Sequence, residues 1–155
     1  MKNVLVYSKS KQSLESEKGK TSGKIFEFKD QVFEVEYGKP VFRVTLVSIE
    51  FLDKNRPKVN MLIENLLDGT SSYAVRDPKK TAYVLDETGE VYPFQEVTQL
   101  PIFGSFKEIV PHAPLKFSVT FSEIPITSKK ITVVVRIQNA HYVTRDITFR
   151  NLELM

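Results

Sequence analysis

The sequence predicts an all-β protein, an antiparallel β-sandwich of two layers with about seven or eight strands. Three segments near the C-terminus alternate apolar and polar residues, at 115–121, 131–137 and 147–149. This two-residue period is typical of a strand with one face buried and the other in water. No set of apolar positions recurs at helical spacing. Layered antiparallel sheets bury such strands on one face only, which defines the fold class.

The same signals extend toward the N-terminus. Residues 25–28 and 33–37 predict the first strands, and Gly38-Lys39-Pro40 ends the second because proline cannot donate to a ladder. Residues 53–57 predict a turn, and 59–63 predict the strand that follows it. The strand pattern therefore begins close to Ile25.

Two breaks interrupt the alternation, and the first of them predicts a β-bulge or a bend that moves the strand between layers. The apolar positions of 42–46 have one parity and those of 49–51 the other, so the phase changes near Val47 and Ser48. The last strand changes phase near Asn151. One extra residue in a strand produces this shift, and it bends the strand locally.

A hairpin and an irregular connection complete the pattern. Strand-like residues flank the loop Asp86 to Glu90, which contains Gly89, so 83–92 predicts a β-hairpin. Residues 93–114 contain four prolines yet remain apolar, and we expect them to pack as a crossover connection over one end of the sandwich.

Charge divides the chain into a tail, 1–24, and a folded domain, 25–155. The tail holds six lysines against two glutamates, a net charge of +4, whereas the rest holds 16 basic and 17 acidic residues, a net charge of −1. Residues 8–24 contain too few apolar groups to fold, so we expect a flexible tail or tether. The domain offers no basic field for nucleic acid, and no stretch is long enough for a membrane helix or a signal peptide.

The motif content argues against an enzyme and against a bound cofactor or metal. Cysteine is absent and the only histidines are His112 and His141. No nucleophile elbow, phosphate loop or HExxH sequence occurs. Glu34 and Glu36 share one exposed strand face, which is typical of a solvated surface. The cluster of Asp86, Glu87 and Glu90 lacks the ordered spacing of a calcium loop, so we predict no metal site there.

Three segments carry a resemblance to a known family. They are 58–65, a hydrophobic strand that ends in Asn65, the hairpin 83–92, and Val110-Pro111-His112 leading to 117–121. Over residues 32–154 the chain resembles the bacterial immunoglobulin-like extracytoplasmic domains related to the mycobacterial secreted immunoprotective antigen and to uncharacterised lipoproteins. The resemblance implies an immunoglobulin-like sandwich outside the cytoplasmic membrane of a bacterium, without catalytic residues and with an unidentified protein or glycan ligand. The chain departs from the family in lacking a lipobox cysteine and a signal peptide, which leaves a cytoplasmic location open.

The loop between the last two strands is the candidate ligand site. Its candidate residues are Asn139, His141, Tyr142 and Arg145. Amide, imidazole, phenol and guanidinium groups suit hydrogen bonding and stacking with a polar ligand, and loops on rigid scaffolds often carry binding residues. We therefore expect a non-catalytic binding or accessory domain. The alternatives are a carbohydrate-binding module and a structural or assembly subunit of a phage or cell-surface structure. The sequence predicts no oligomeric state.

Overall fold

Strands joined by antiparallel ladders make up most of the molecule. The computed structural model describes residues 23–141 and 143–154. Eleven strands lie in this described part of the chain: β1 (Ile25–Glu27), β2 (Val32–Glu36), β3 (Pro40–Leu52), β4 (Arg56–Asn65), β5 (Ser71–Val75), β6 (Tyr83–Asp86), β7 (Val91–Thr98), β8 (Lys107–Ile109), β9 (Leu115–Phe121), β10 (Lys130–Asn139) and β11 (Thr144–Glu153). A 3-10 helix spans Asp53–Asn55, and a short helix, α1, spans Pro78–Thr81. The predicted all-β class is confirmed.

The strands form two layers. In the first layer, β1 and β2 lie one after the other along the same edge of β3, followed by β4, β9 and the second half of β7. In the second layer, β11 pairs with β10, whose other edge pairs with β6 and β5. The first half of β7 lies beside β6, and β8 lies beside β5. Every pairing between these named strands is antiparallel.

Strand β7 connects the two layers. Its first residues, up to Pro93, pair with β6, and its later residues, from Phe94, pair with β9. The prediction of a crossover connection for 93–114 is therefore wrong for residues 93–98 and 107–109, which are strand. Pro93 suggested that no strand passes through this position. The strand is possible because β7 changes layer at Pro93, where a residue without an N–H is tolerated.

One hydrophobic core lies between the layers. Most inward positions predicted from the alternation are at most 3 % exposed, but Phe33 and Leu115 are only partly buried and Tyr37 is 71 % exposed. The buried positions include Val59, Met61, Ile63, Phe117, Val119, Phe121, Ile131, Val133, Val135, Ile137, Ile147 and Phe149. Val134 belongs to the opposite parity yet is only 6 % exposed. Helix α1 contacts β10 on that side, so the outer face of the second layer is partly covered.

The predicted irregularities are present. The β3–β4 register changes between Leu46 and Ser48, and the β10–β11 register changes opposite Asn151. The strand count exceeds the expected seven or eight mainly because β5 and β8 carry no readable alternation. Strand β5 has consecutive buried residues, and β8 is three residues long with two exposed.

The start of the domain lies at the edge of β3. Strand β1 begins at Ile25, and the backbone of Gly23 and Lys24 is already bonded to Phe51, with N···O distances of 2.7 and 2.9 Å. Residues 1–22 of the predicted tail lie outside the described residues. Within the described residues, no helix is long and apolar enough to cross a lipid bilayer.

Candidate functional site

A cleft of about 420 Å³ opens at the end of the sandwich where β2, β4 and β10 terminate. Three loops line it: the β2–β3 turn, the segment after β4, and the β10–β11 turn. Its polar lining comprises Tyr37, Lys39, Asp68, Thr70 and His141. Its apolar lining comprises Val41, Leu67 and Val143. Apolar walls with a few polar groups are the usual composition of a small-ligand site.

Asn139 shapes this cleft from below. The residue is completely buried. Its side-chain oxygen accepts the backbone N–H groups of His141 and Val143 at 3.0 and 3.1 Å. Its backbone N–H donates to the Val143 carbonyl at 3.0 Å. The Asn139 oxygen therefore holds the turn that presents His141, while the Asn139 amide nitrogen is buried without a hydrogen-bond partner within the described residues.

The other predicted site residues lie in different places relative to the cleft. His141 is exposed at the cleft, and within the described residues no hydrogen bond or ion pair joins its imidazole to another side chain. Tyr142 lies outside the described residues. Arg145 is exposed beside the cleft, where its guanidinium donates to the Thr144 carbonyl at 2.9 Å and to the Glu36 carbonyl at 3.3 Å. Arg145 thus links β11 to the end of β2.

A buried polar pair, Asn65 and Tyr73, supports the loop after β4. The Asn65 amide donates to the carbonyls of Gly69 and Ile109, each at 2.9 Å. Its oxygen accepts the Leu67 N–H and the Tyr73 hydroxyl, each at 3.0 Å. All four hydrogen-bonding positions of the Asn65 side chain are therefore filled. Because Tyr73 belongs to β5 and Asn65 to β4, this pair joins the two layers beneath the cleft.

Burial dominates the electrostatics of that pair. Desolvation raises the pKa of Tyr73, while the neighbouring Asn139 and Ser71 side chains offset part of the rise. The phenol is consequently a hydrogen-bond donor at neutral pH and stays bound to Asn65. The base of the cleft is therefore neutral, and its charged groups, Lys39 and Asp68, lie on exposed loops.

The outer face of the first layer carries a ladder of charged residues. Arg43 contacts Glu34 at 3.0 Å and Glu64 at 3.1 Å, in cross-strand register on both sides. The Nδ1 atom of His112 lies 3.6 Å from Glu64. Such exposed pairs contribute roughly 0–1 kcal/mol each. Glu34 and His112 thus belong to a surface ladder, in line with the solvated face expected for Glu34.

The carboxylates of the acidic hairpin loop accept hydrogen bonds from neighbouring groups of the protein itself. One Asp86 oxygen accepts the Thr88 N–H, the Thr88 hydroxyl and the Glu90 N–H at 2.6–3.0 Å, and the other accepts the Tyr92 hydroxyl at 3.0 Å. Glu87 accepts the Lys129 N–H at 3.2 Å and the Lys130 N–H at 3.4 Å. Among the residues that the structure describes, no group of three or more His, Asp or Glu side chains is placed to hold a metal ion.

Several cleft residues were not identified from the sequence. Tyr37 ends a predicted strand, and Lys39, Asp68 and Thr70 lie in turns. The chain separates all four from His141 by many residues. Their common location follows from strand register, since Phe42 pairs with Asn65 and Tyr73 pairs with Asn139. Because a single sequence does not show the register of its strands, it could not predict that these residues lie close together.

No protein-family model matches this chain, and no curated protein is significantly similar to it.

Proposed function

We propose that this protein is a non-catalytic binding or accessory module with its ligand site in the cleft at the β10–β11 turn. The observation that carries the proposal is the gathering of His141 with Tyr37, Lys39, Asp68 and Thr70 from three separate loops on a rigid sandwich. Hydroxyl, imidazole, ammonium and carboxylate groups around a partly apolar pocket suit a small polar ligand. The buried Asn65–Tyr73 pair supports this interpretation because it preorganises one of the three loops.

The proposed site can be tested by NMR with a defined panel of monosaccharides, disaccharides and free amino acids. We expect amide shifts at 37–39, 68–70 and 139–143 for members of the panel, and their loss in Tyr37→Ser and His141→Ala. Lys79→Ala on α1 is the matched surface control and leaves the shifts unchanged. Saturable shifts that map to another surface, or a panel in which no member shifts these amides, contradict the proposal.

The second candidate is a carbohydrate-binding module. Tyr37 is 71 % exposed at the cleft rim and provides an aromatic surface on which a sugar ring can stack. A glycan array separates the two candidates, since a neutral glycan that requires Tyr37 favours the carbohydrate module and an amino-acid ligand favours the general one.

We further propose that the domain acts outside the cytoplasmic membrane and that the segment before Gly23 forms its tether. The lysine-rich and serine-rich composition of this segment supports the proposal, as does the resemblance to immunoglobulin-like extracytoplasmic domains. Expression of the complete gene with a C-terminal tag in its own host tests it. Protease added to spheroplasts, whose cytoplasmic membrane is intact but whose outer layers are removed, should remove the tag, and protection of the tag contradicts the location.

A further inference from the structure

A second concave surface crosses the outer face of the first layer. It is a groove of about 450 Å³ over β3, β4, β9 and β7, and it is distinct from the cleft. Ser48 pairs with Asn60, Asn60 with Ser118, and Ser118 with Thr98 in the cross-strand register. These four residues form a continuous polar row, one per strand, and we call them the polar row. Strands lie about 4.8 Å apart, so the row extends roughly 14 Å.

Hydrogen bonds order the polar row in advance. The Asn60 amide donates to the Ser48 hydroxyl at 3.0 Å, and the hydroxyls of Thr98 and Ser118 lie 2.6 Å apart. The Asn60 side-chain oxygen accepts no hydrogen bond within the described residues, so it remains available to a ligand. A fixed array of amide and hydroxyl groups binds sugar hydroxyls without a large ordering cost.

The shape of the groove follows from the sizes of its side chains. Ser48 and Ser118 are only 8 % and 6 % exposed although they face outward. Two longer side chains flank the row on opposite sides: Lys58, two residues from Asn60 on β4, and Lys116, two residues from Ser118 on β9. The bulge in β3 turns Val47 outward, and at 40 % exposure it forms part of the wall.

The lining of the groove carries its unopposed positive charge on the Lys116 side. The lining includes Lys58 and Lys116 and no carboxylate. Lys58 pairs in register with Glu50, whereas Lys116 is exposed and takes part in no ion pair within the described residues. Single-stranded nucleic acid is a poor fit because it requires exposed aromatic side chains for stacking, and the only aromatic lining residue, Phe117, is buried.

We propose that the groove binds an extended anionic polysaccharide of the polyuronate class. The polar row would bind sugar hydroxyls, Lys116 would bind a carboxylate of the polysaccharide, and the half-buried Leu62 would contact the apolar edge of a ring. A chain that lies across four strands uses the full length of the row, which a single small anion does not. This proposal is independent of the cleft.

Binding can be measured by fluorescence anisotropy with a labelled alginate hexamer as the probe. We expect Lys116→Glu to weaken binding by about tenfold or more, as expected for loss of a hydrogen bond to a charged group. Asn60→Leu should weaken it by about fivefold without changing its salt dependence, because it removes a neutral hydrogen bond. Lys79→Glu on α1 makes the same change of charge on the other layer and should have no effect.

Competition experiments decide the class of ligand. Neutral maltohexaose and poly-glutamate of equal length should compete poorly with the alginate probe. The proposal is overturned if alginate does not bind, or if poly-glutamate binds equally tightly. It is also overturned if Lys116→Glu and Lys79→Glu lose equal affinity, or if Asn60→Leu leaves binding unchanged. Should Asn60→Leu fail to fold, Thr98→Val replaces it, because it removes an exposed hydroxyl of the same polar row, and unchanged binding in that variant likewise overturns the proposal. Tyr37→Ser should leave alginate binding intact, which separates this groove from the cleft.

Discussion

Single buried polar residues position the loops of this protein. Asn65 has every side-chain hydrogen bond filled, and its partners come from the loop after β4, from β5 and from the end of β8. A buried polar group left without a partner destabilises a fold by about 1–3 kcal/mol. The removal of Asn65 exposes several such groups at once, so its effect exceeds that of an ordinary surface asparagine.

We therefore expect Asn65→Ala to lower the free energy of unfolding by about 2–4 kcal/mol. The matched control is Asn60→Ala on the same strand, which removes one part-buried hydrogen bond and should lower it by about 1 kcal/mol or less. Chemical denaturation of both variants measures the difference. Equal losses would show that the Asn65 network contributes little.

Asp86 and Tyr92 form a coupled pair in the β6–β7 hairpin. The Thr88 hydroxyl is the main cause that lowers the pKa of Asp86 below its usual 3.8, and the Glu90 N–H and the Tyr92 phenol add to it. Desolvation is the main cause that raises the pKa of Tyr92 to about 12, followed by the hydrogen bond to Asp86. The carboxylate is favoured as the anion and the phenol as the neutral acid, which is the pairing their hydrogen bond requires.

The two shifts act at opposite ends of the pH scale. The lowered pKa of Asp86 stabilises the fold above its usual value of 3.8, and this contribution is lost as pH falls through the folded-state pKa. The raised pKa of Tyr92 stabilises the fold below 10.0 and the contribution is lost as pH rises toward about 12. We expect Asp86→Asn to reduce the loss of folding stability that occurs as the pH falls into the acid range. We also expect it to lower the pKa of Tyr92 part of the way toward 10.0.

Spectrophotometric titration of the tyrosines and denaturation between neutral and acid pH measure both effects. Asp30→Asn is the control, because Asp30 is exposed and asparagine tolerates its positive φ of 62°. A Tyr92 pKa that stays at about 12 in Asp86→Asn would mean that burial alone raises it.

At the scale of strands and turns, the sequence predicts what periodicity and turn chemistry determine. The alternation identified β9, β10 and the hairpin of β6 and β7, and the change of parity at Val47 identified a bulge. It failed for β5, where Tyr73, Ala74 and Val75 are all buried and no alternation exists. The sequence drew attention to His141 because this residue lies in a single loop between two predicted strands. The rest of the cleft depends on strand register, which a single sequence does not display.

Turn conformation explains the sharp end of the predicted hairpin. Gly89 has a φ of +88°, and no atom lies within 4 Å of the point that a Cβ would occupy there, so any loss on substitution comes from backbone strain.

We expect Gly89→Ala to lower the free energy of unfolding by about 1 kcal/mol, because an L-residue is strained at positive φ. Gly69→Ala is the matched control, since Gly69 also has open space around it but no positive φ. That variant should be neutral or stabilise by up to about 1 kcal/mol through the unfolded chain. Equal effects in denaturation experiments would contradict a role for the positive φ of Gly89.

One edge of β11 pairs with no strand in the part of the chain that the structure describes, and this edge bears on function. This strand pairs with β10 on one side and presents Arg145, Asp146 and Arg150 as exposed residues, with a bulge near Asn151. Charges and bulges on an edge strand discourage pairing with a second chain. The edge therefore gives no support to an assembly subunit that adds strands, and the binding module remains our proposal.

At the scale of the whole molecule, two layers share one core and one strand. Strand β7 pairs in both layers, and the buried residues of both form a single cluster. Neither layer can lose its partner without exposing its apolar face, so the layers cannot unfold separately at moderate free energy.

We therefore expect a single cooperative unfolding transition in which both layers lose structure together. Ile63→Ala in the first layer and Ile137→Ala in the second remove the same groups from completely buried sites, and each should lower the free energy of unfolding by about 2–5 kcal/mol. Because the chain has no tryptophan, far-UV circular dichroism and tyrosine fluorescence are the two probes, and their midpoints should coincide in both variants. A variant in which one probe changes before the other would show that β7 does not couple the layers, and that each layer is a separate folding unit.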